Sequence, residues 1–291
     1  MSLHPLGCGC AGHGRRLFGA ALLAGAALPA LAQQEGVQSD VGRQSKFTNL
    51  VPAEQVEAAA AQQYQQMLRE ASAQKALGPP NHPQVQRLRA IAERIIPYAL
   101  PWNGRAKQWK WEVNLIGSKQ LNAFCMPGGK IAFYHGILQQ LQLSDDEVAT
   151  IMGHEVAHAL REHARERMGK TAATRIGANV LSALFGLGAA GDTLVNMGGQ
   201  LLTLKFSRDD ESEADIVGMD LAARAGYDPR AGVSLWNKMM EASKGAPPQF
   251  MSTHPSGPTR IKDIEGKLPK VMPLYEKAGK PPQRFEPPKP A

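Results

Sequence analysis

The sequence predicts an α+β fold that is mostly helical and carries one small β-sheet, and three observations lead to this class. Long stretches place apolar residues at three- and four-residue spacing between residues that typically start and end helices. One region, residues 109–134, instead predicts strands, since residues 109–116 alternate polar and apolar positions and are rich in residues that favour strands. Apolar residues form 43% of the chain but aromatic residues only 6%, so we expect a core of helices packed closely through Ala and Gly.

Residues 1–32 have the composition of an export signal. Arg15 and Arg16 precede an apolar run over residues 17–28, and Ala30-Leu31-Ala32 matches the small-residue pattern of a cleavage site. The apolar run is shorter than the roughly 18 residues expected of a membrane-spanning helix. We therefore expect a signal peptide, followed by a mature protein located in the periplasm.

Loss of that segment changes both the charge and the cysteine count. Removing its two arginines takes the formal net charge from +7 to +5, a mild excess that favours contact with an anionic membrane surface. The sequence has no basic stripe with interleaved aromatic residues, so a nucleic-acid partner is not expected. Cys125 is the one cysteine of the mature chain, which excludes an intrachain disulfide, and we expect it to be a buried strand residue.

The first part of the mature chain is predicted to be a scaffold. Residues 33–51 are polar and are expected to form a flexible segment. In the helical part that follows, residues 52–100, the composition predicts helices over 52–77 and 83–96, separated by Gly78-Pro79-Pro80-Asn81. We expect these helices to support a site rather than to contribute residues to it.

Residues 109–134 are predicted to form the sheet. The expected strands are 109–116, 121–125 and 130–134, and Met126-Pro127-Gly128-Gly129 is expected to turn the chain between the last two. This sheet comes directly before the helix that carries the most informative motif of the chain.

That motif is His154-Glu155-Val156-Ala157-His158, in which two histidines lie four residues apart. On a helix this spacing puts both imidazoles on one face, where they can bind one metal ion, and Glu155 lies beside that face. The surroundings favour a helix, because Ser144 and Glu147 form a capping box with acidic residues in the first turn. The helix is predicted to continue to Gly169.

Two histidines leave a catalytic zinc site incomplete, because such a site usually has three protein ligands and one position for water. One extension of the motif places Gly and His at the seventh and tenth positions after the first histidine, but those positions are Arg161 and Ala164 here. His163 is one residue away from the position that this extension requires, and it lies on another part of the helix. The third ligand must therefore come from elsewhere in the chain.

The best candidate lies in a second predicted helix, which follows an N-cap serine and has an acidic first turn. Glu211 and Asp215 are four residues apart and share a face, whereas Glu213 points the opposite way. Gly218 continues the Glu211 face with a small residue, which lets this helix approach the first one closely. We therefore assign Glu211 as the third metal ligand and Asp215 as the hydrogen-bond partner of a ligand histidine.

Residues 176–204, between the two metal-binding helices, are apolar and rich in Gly and Ala but are interrupted by Asp192. Neither half reaches the roughly 18 residues that argue for a membrane span. We expect a helical hairpin that is buried or makes peripheral contact with a membrane, in preference to a span. An exposed apolar surface there would also attract unfolded chains.

The C-terminal part is predicted to be helical over residues 229–268. A loop within it carries Thr253-His254-Pro255, and Arg260 follows six residues after the histidine. From Pro269 onwards the composition is rich in Pro and Lys, which predicts an extended tail over residues 269–291.

Three motifs occur in the order found in a known family of enzymes: the histidine motif at 154–158, Glu211-Ser212-Glu213-Ala214-Asp215, and Thr253-His254-Pro255 with Arg260. In this respect the chain resembles the zinc metallopeptidase family of HtpX, BepA, LoiP, Oma-type and CAAX prenyl proteases. The resemblance covers residues 122–264. It implies a zincin-like fold of the gluzincin class.

The resemblance also implies a set of roles. One Zn²⁺ per chain would be held by the three ligands already assigned, with Glu155 as the general base. His254 and Arg260 would lie near the active site, and in some relatives the matching histidine occludes the metal or stabilises the transition state. In related zinc peptidases an edge strand binds the substrate backbone, and Asn122-Ala123-Phe124 resembles that strand; an ordinary place in the sheet fits these residues equally well.

These features predict an exported zinc endopeptidase that hydrolyses misfolded or unassembled envelope polypeptides. Glu155 would move a proton from water to the leaving amine, and Arg260 or His254 would stabilise the oxyanion. The alternative is a zinc-binding chaperone or assembly factor for envelope proteins, in which protease activity is weak or is occluded by His254. Both interpretations predict unfolded or misassembled envelope polypeptides as partners.

Overall fold

The computed structural model describes residues 36–174, 197, 199, 201–244, 248–254 and 259–290. Within these residues, helices surround a three-stranded sheet, which confirms the predicted class of a mostly helical α+β fold. The elements in chain order are α1 (Ala53–Ala73), α2 (Pro83–Ile95), β1 (Glu112–Ile116), β2 (Ala123–Met126), β3 (Lys130–Tyr134), α3 (His135–Gln140), α4 (Asp145–Leu160), α5 (His163–Thr174), α6 (Arg208–Arg224), α7 (Ala231–Ala242), α8 (Gln249–Thr253) and α9 (Arg260–Lys277), with 3-10 helices at Gln38–Asp40, Lys46–Leu50, Ile96–Tyr98 and Gly104–Lys107.

The segment before α1 packs against the rest of the protein, which corrects the prediction that residues 33–51 are flexible. Val37 and Val51 are completely buried. Arg161, at the end of α4, donates from Nη2 to Gly42 O at 2.6 Å. The predominantly polar composition of residues 33–51 gave no indication of these anchors.

The predicted scaffold helices are present as α1 and α2. The apolar face of α2, which includes Val85, Leu88 and Ile91, is buried and packs on β1 and α4. Arg87 of the same helix is also buried, and its Nε lies 2.6 Å from Asp145 Oδ1. This ion pair fixes α2 to the start of α4.

The sheet has the order β1-β3-β2, with β1 parallel and β2 antiparallel to β3. The predicted turn joins β2 to β3, and there Gly128 and Gly129 have φ angles of +83° and +76°, a conformation that glycine adopts without strain. Cys125 is buried in β2, as expected. β2 forms one edge of the described sheet, and α4 packs beside it.

Helices α4 and α6 cross at two glycines. A Cβ atom placed on Gly153 would lie 2.6 Å from Gly218 O, and one placed on Gly218 would lie 2.6 Å from His154 N. Because only a hydrogen atom fits at either position, the two backbones approach closely beside the first histidine of the motif. Both helices begin with a capping box, at Ser144 in α4, as predicted, and at Ser207 in α6.

The helix predicted to run to Gly169 is interrupted, so this prediction was wrong. α4 ends at Leu160, and Glu162 has a φ angle of +58° before α5 begins at His163. A left-handed conformation is uncommon for a residue other than glycine, and it ends a helix. The Glu162 carboxylate lies 2.5 Å from Arg165 Nη1, an ion pair that accompanies the break.

The prediction that an extended tail starts at Pro269 was also wrong, because α9 continues through Pro269 and Pro273 to Lys277. Each proline removes one backbone hydrogen bond from the helix. Val271 and Leu274 are buried on the same stretch, and their burial offsets that loss.

Beyond α9 the chain is extended and runs along the start of α4. Phe285 N donates to Asp145 Oδ2 at 2.9 Å, and Arg284 Nη1 lies 2.9 Å from Asp146 Oδ1. The tail is therefore fixed at the N-terminus of the helix that carries the histidine motif.

The predicted signal peptide, residues 1–32, lies outside the described residues, as does most of the apolar segment 176–204. Among the residues that the structure describes, no helix is both long enough and apolar enough to cross a membrane. The peripheral membrane contact expected for 176–204 therefore stays a prediction.

Candidate active site

Four buried side chains converge where α4 and α6 cross. His154 and His158 come from α4, Glu211 comes from α6, and His254 follows α8. One donor atom of each residue lies within 4.8 Å of the donor atoms of the other three. The structure thus brings the three predicted metal ligands together and adds His254 as a fourth donor.

The spacing of these donors fits a tetrahedral zinc ion. The Nε2 atoms of His154 and His158 are 3.1 Å apart, and the oxygens of Glu211 lie 3.5 and 3.4 Å from them. A tetrahedral ion with bonds of about 2.0–2.2 Å keeps its donors roughly 3.3–3.6 Å apart. Two imidazoles and one carboxylate are also a donor set that suits zinc. The residues present therefore fit one zinc ion.

Glu155 presents a carboxylate beside this group of donors. Among the described residues, its Oε1 is the buried side-chain polar atom that has no hydrogen-bond partner. His254 Nε2 is 3.4 Å away but does not have the geometry of a hydrogen bond. Burial raises the pKa of the Glu155 carboxyl, which suits a group that accepts a proton near neutral pH.

Asp215 contacts the ring of His154 from the side opposite the converging donors, as predicted. Its Oδ1 lies 2.9 Å from His154 Nδ1. Burial by itself lowers the pKa of His154, but the hydrogen bonds to Asp215 and Glu211 outweigh burial and raise that pKa to about 9. In the metal-free chain a proton therefore competes with a metal ion for this ring at neutral pH.

Arg260 lies behind the ligands rather than in front of them. It donates from Nε and Nη2 to the two oxygens of Asp215, at 2.7 Å each, and from Nη1 to Glu211 Oε2 at 2.9 Å. Its guanidinium carbon is 3.6 Å from the centroid of the Trp236 ring. Because these contacts bury the guanidinium away from the cleft, the oxyanion role predicted for Arg260 does not fit its position. It holds the two carboxylates in place instead.

His254 occupies the fourth donor position. Its Nδ1 lies 3.0 Å from Glu211 Oε1 and 3.2 Å from His154 Nε2. The ring stacks on Phe250, with centroids 4.5 Å apart and an angle of 24° between the planes. This packing directs His254 at the point where the other three donors converge, as expected for a histidine near the metal.

His163 and Glu213 were placed outside the site by the sequence pattern, yet the structure puts them against a ligand. His163 Nδ1 is 2.9 Å from His158 Nδ1, and His163 Nε2 is 3.2 Å from Glu213 Oε2. The sequence shows that a histidine is present at position 163, but it does not show where that side chain points. Its direction depends on the break in the helix at Glu162.

A cleft opens in front of Glu155 and His158. Asn122, Ala123 and Phe124, the three residues predicted to bind substrate, all lie along it. Its apolar wall is formed by Met126, Leu201, Leu202, Leu204 and Phe206.

The backbone of β2 is oriented toward this cleft at alternate residues. Tyr134 N donates to Asn122 O at 3.0 Å, so residue 122 pairs inward with the chain of β3. Because inward and outward pairing alternate in an antiparallel sheet, Ala123 and Cys125 direct their main-chain groups away from β3. Phe124 pairs inward with β3 and contributes its side chain to the cleft.

The fold and this site define a zincin-like metallopeptidase: a histidine-motif helix crosses a second helix that supplies a glutamate ligand, beside the edge strand of a small sheet. The model of Peptidase family M48 matches residues 84–268, more than half of the chain. The chain belongs to Peptidase family M48. This confirms the family predicted from the three motifs, and the family and the donor set agree on one zinc ion per chain.

Several relatives match between about half and two thirds of the chain. The mitochondrial metalloendopeptidase OMA1 of Schizosaccharomyces pombe is 34% identical over 197 residues, which are 67% of this chain and 56% of that protein. OMA1 of Arabidopsis thaliana is 39% identical over 152 residues, 52% of this chain and 30% of the relative. The beta-barrel assembly-enhancing protease of Yersinia pestis is 24% identical over 188 residues, 59% of this chain and 37% of the relative. The chain thus covers between 30% and 56% of the length of these relatives.

Proposed function

We propose that the chain is a zinc-dependent endopeptidase. The observation that carries this proposal is the buried Oε1 of Glu155, which has no hydrogen-bond partner and lies beside the four converging donors at the end of an open cleft. His154, His158 and Glu211 would hold the zinc ion. When bound, zinc polarises a carbonyl group and lowers the pKa of a water molecule.

The residues of the chain supply the remaining chemistry. Glu155 Oε1 accepts a proton from the attacking water and returns it to the leaving amine, since this oxygen is committed to no other group. Asp215 accepts a hydrogen bond from His154 Nδ1, which leaves Nε2 of that ring directed at the donors. His254 Nε2 is close enough to Glu155 to contact a negative charge that develops on the substrate.

A substrate chain would bind as an added strand on the open edge of β2. The main-chain carbonyls of Ala123 and Cys125 would accept hydrogen bonds from it, since Ala123 N already donates to Asn122 Oδ1. The apolar wall of the cleft would receive its apolar side chains. Extended segments with exposed apolar side chains are features of unfolded proteins, so this cleft favours misfolded or unassembled polypeptides as substrates.

We further propose that the enzyme acts on envelope proteins after export. The pattern of residues 1–32 supports an exported, periplasmic protein, with peripheral membrane contact through 176–204. Relatives from Yersinia pestis and Vibrio cholerae carry names that refer to beta-barrel assembly, whereas the relatives named OMA1 are mitochondrial. The proposal of an exported location therefore rests on the composition of residues 1–32 and on the relatives from Yersinia pestis and Vibrio cholerae.

Cleavage of an unfolded protein by the purified chain tests the proposed activity. We expect Glu155→Gln to retain zinc and to lose cleavage by about 10²- to 10⁴-fold, because its amide cannot accept the proton. Glu265→Gln, at an exposed glutamate of α9, is the matched control and should cleave normally. Full activity in Glu155→Gln, or activity that survives removal of zinc by a chelator, would contradict the mechanism.

The alternative function is a zinc-binding chaperone or assembly factor with weak or occluded protease activity. The position of His254 as a fourth donor favours it, because a bound histidine would exclude water and substrate from zinc. Cleavage that increases in His254→Ala would indicate an occluded protease. Tight binding of unfolded clients without cleavage, in both the parent chain and this variant, would support the chaperone.

A further inference from the structure

A chain of polar contacts extends from one ligand histidine toward the protein surface. His158 Nδ1 lies 2.9 Å from His163 Nδ1, and His163 Nε2 lies 3.2 Å from Glu213 Oε2. The other oxygen of this carboxylate, Oε1, accepts a hydrogen bond from Arg161 Nε at 2.5 Å. Arg161 is itself fixed, since its Nη2 donates to Gly42 O.

Donor and acceptor chemistry allows one arrangement of protons along these contacts. A neutral imidazole that offers Nε2 to a metal carries its proton on Nδ1, so His158 donates and His163 Nδ1 accepts. A neutral His163 then carries its proton on Nε2 and donates it to Glu213. We propose that His163 is a positioning residue, oriented by Glu213, which holds His158 with Nε2 directed at the metal position.

The break between α4 and α5 is what makes this contact possible. On a continuous helix, residues five apart point about 140° away from each other around the axis. The left-handed conformation of Glu162, with φ +58°, turns the chain so that His163 comes back against His158. Such a conformation ends a helix and re-directs the chain that follows it.

Burial makes the contact difficult to replace. His163 is 1% exposed, so water cannot take over its hydrogen bonds when the side chain is removed. A corresponding arrangement holds the other ligand, where Asp215 contacts His154 and Arg260 pairs with Asp215. Each ligand imidazole therefore has its own acceptor, and each of the two arrangements includes a carboxylate paired with an arginine, Asp215 with Arg260 and Glu213 with Arg161. The inference rests on the proposed zinc site and does not depend on peptidase activity.

The proton positions can be measured directly. Long-range ¹H–¹⁵N spectra of the zinc-loaded chain with labelled histidine distinguish the two neutral tautomers from the charged ring. We expect His158 to carry its proton on Nδ1 and His163 to carry its proton on Nε2. A His163 that is doubly protonated, or that carries its proton on Nδ1, would overturn the proposal because it could not accept from His158.

Two substitutions of His163 separate positioning from packing. His163→Leu keeps a similar volume but cannot accept a hydrogen bond, and we expect it to weaken zinc binding by about 10- to 100-fold. His163→Gln offers both an acceptor and a donor, so it should recover most of that loss. Competition with a chromophoric chelator measures both affinities, and melting of the metal-free chain shows that the variants fold. Zinc affinity in His163→Leu equal to that of the parent would overturn the proposal.

Glu213 provides an independent variant, since its side chain is partly exposed and tolerates substitution better. We expect Glu213→Leu to weaken zinc binding because His163 loses the group that orients it. If His163→Leu does not fold, this variant decides the matter: weaker zinc binding supports the proposal, and unchanged zinc binding overturns it.

Discussion

Replacing Gly218 by alanine tests how closely the site depends on the crossing of α4 and α6. The added Cβ would lie 2.6 Å from His154 N and 2.8 Å from Gly153 C, and both of these are backbone atoms. Ordinary contacts of a Cβ atom begin near 3.4 Å, so the helices must separate by roughly 0.6–0.8 Å to restore them. This separation acts directly at the first ligand histidine.

The cost of this substitution follows from two opposing effects. Overpacking against rigid backbone costs up to about 3 kcal/mol, while alanine favours a helix over glycine by about 1 kcal/mol. We therefore expect a net loss of about 2 kcal/mol, which corresponds to a fall in Tm of about 4–8 °C for a chain of this size. Zinc sites tolerate changes of only about 0.2 Å in donor distance, so zinc affinity should also fall, by about tenfold or more.

Thermal melting of the metal-free chain and chelator competition for zinc measure these two effects separately. Gly266→Ala in α9 is the matched control, because a Cβ there would meet no atom within 4 Å. It should leave zinc binding unchanged and raise stability by up to about 1 kcal/mol. If Gly218→Ala melts no lower than the parent and binds zinc equally well, the close crossing does not set the geometry of the donors.

Three further predictions concern other parts of the molecule. Asp215→Asn should weaken zinc binding by about 10- to 100-fold in chelator competition, because His154 loses the charged acceptor of its Nδ1 proton; parent-like affinity would contradict that role. Arg87→Met should lower the free energy of unfolding in urea by about 3–5 kcal/mol, because it leaves the Asp145 carboxylate buried without its ion pair; a loss below about 1 kcal/mol would show that the Asp145 charge is compensated by other groups. Burial raises the pKa of the Cys125 thiol well above its ordinary value, so its reactive thiolate is scarce at neutral pH, and a thiol reagent should modify the unfolded chain quickly but the native chain hardly at all.

The residues whose donor atoms converge could be predicted from the sequence because their geometry is local. His154 and His158 share a face of one helix, and Glu211 and Asp215 share a face of another, whatever the rest of the fold does. The small residue at Gly218 also indicated correctly that the second helix approaches the first. The packing of the two helices against each other had to be inferred from the small residues of the second helix. The close contact of their backbones at Gly153 and Gly218 agrees with that inference.

The features that were missed depend on long-range packing. Glu162 gives no sign in the sequence that it will adopt a left-handed conformation, so the contact of His163 with His158 could not be read from helical periodicity. Pro269 indicated a helix end by local chemistry, but burial of Val271 outweighs that preference. In both places a tertiary contact overrides a local rule.

Three acidic residues of α6 contact different parts of the site. Glu211 faces the converging donors, Asp215 holds His154, and Glu213 reaches His158 through His163. Because all three are carried by one helix, a shift of α6 would disturb both ligand rings and the carboxylate ligand together. Zinc binding and the packing of α6 on α4 should therefore stabilise each other, since an ion that binds only the native arrangement adds its binding free energy to that of folding.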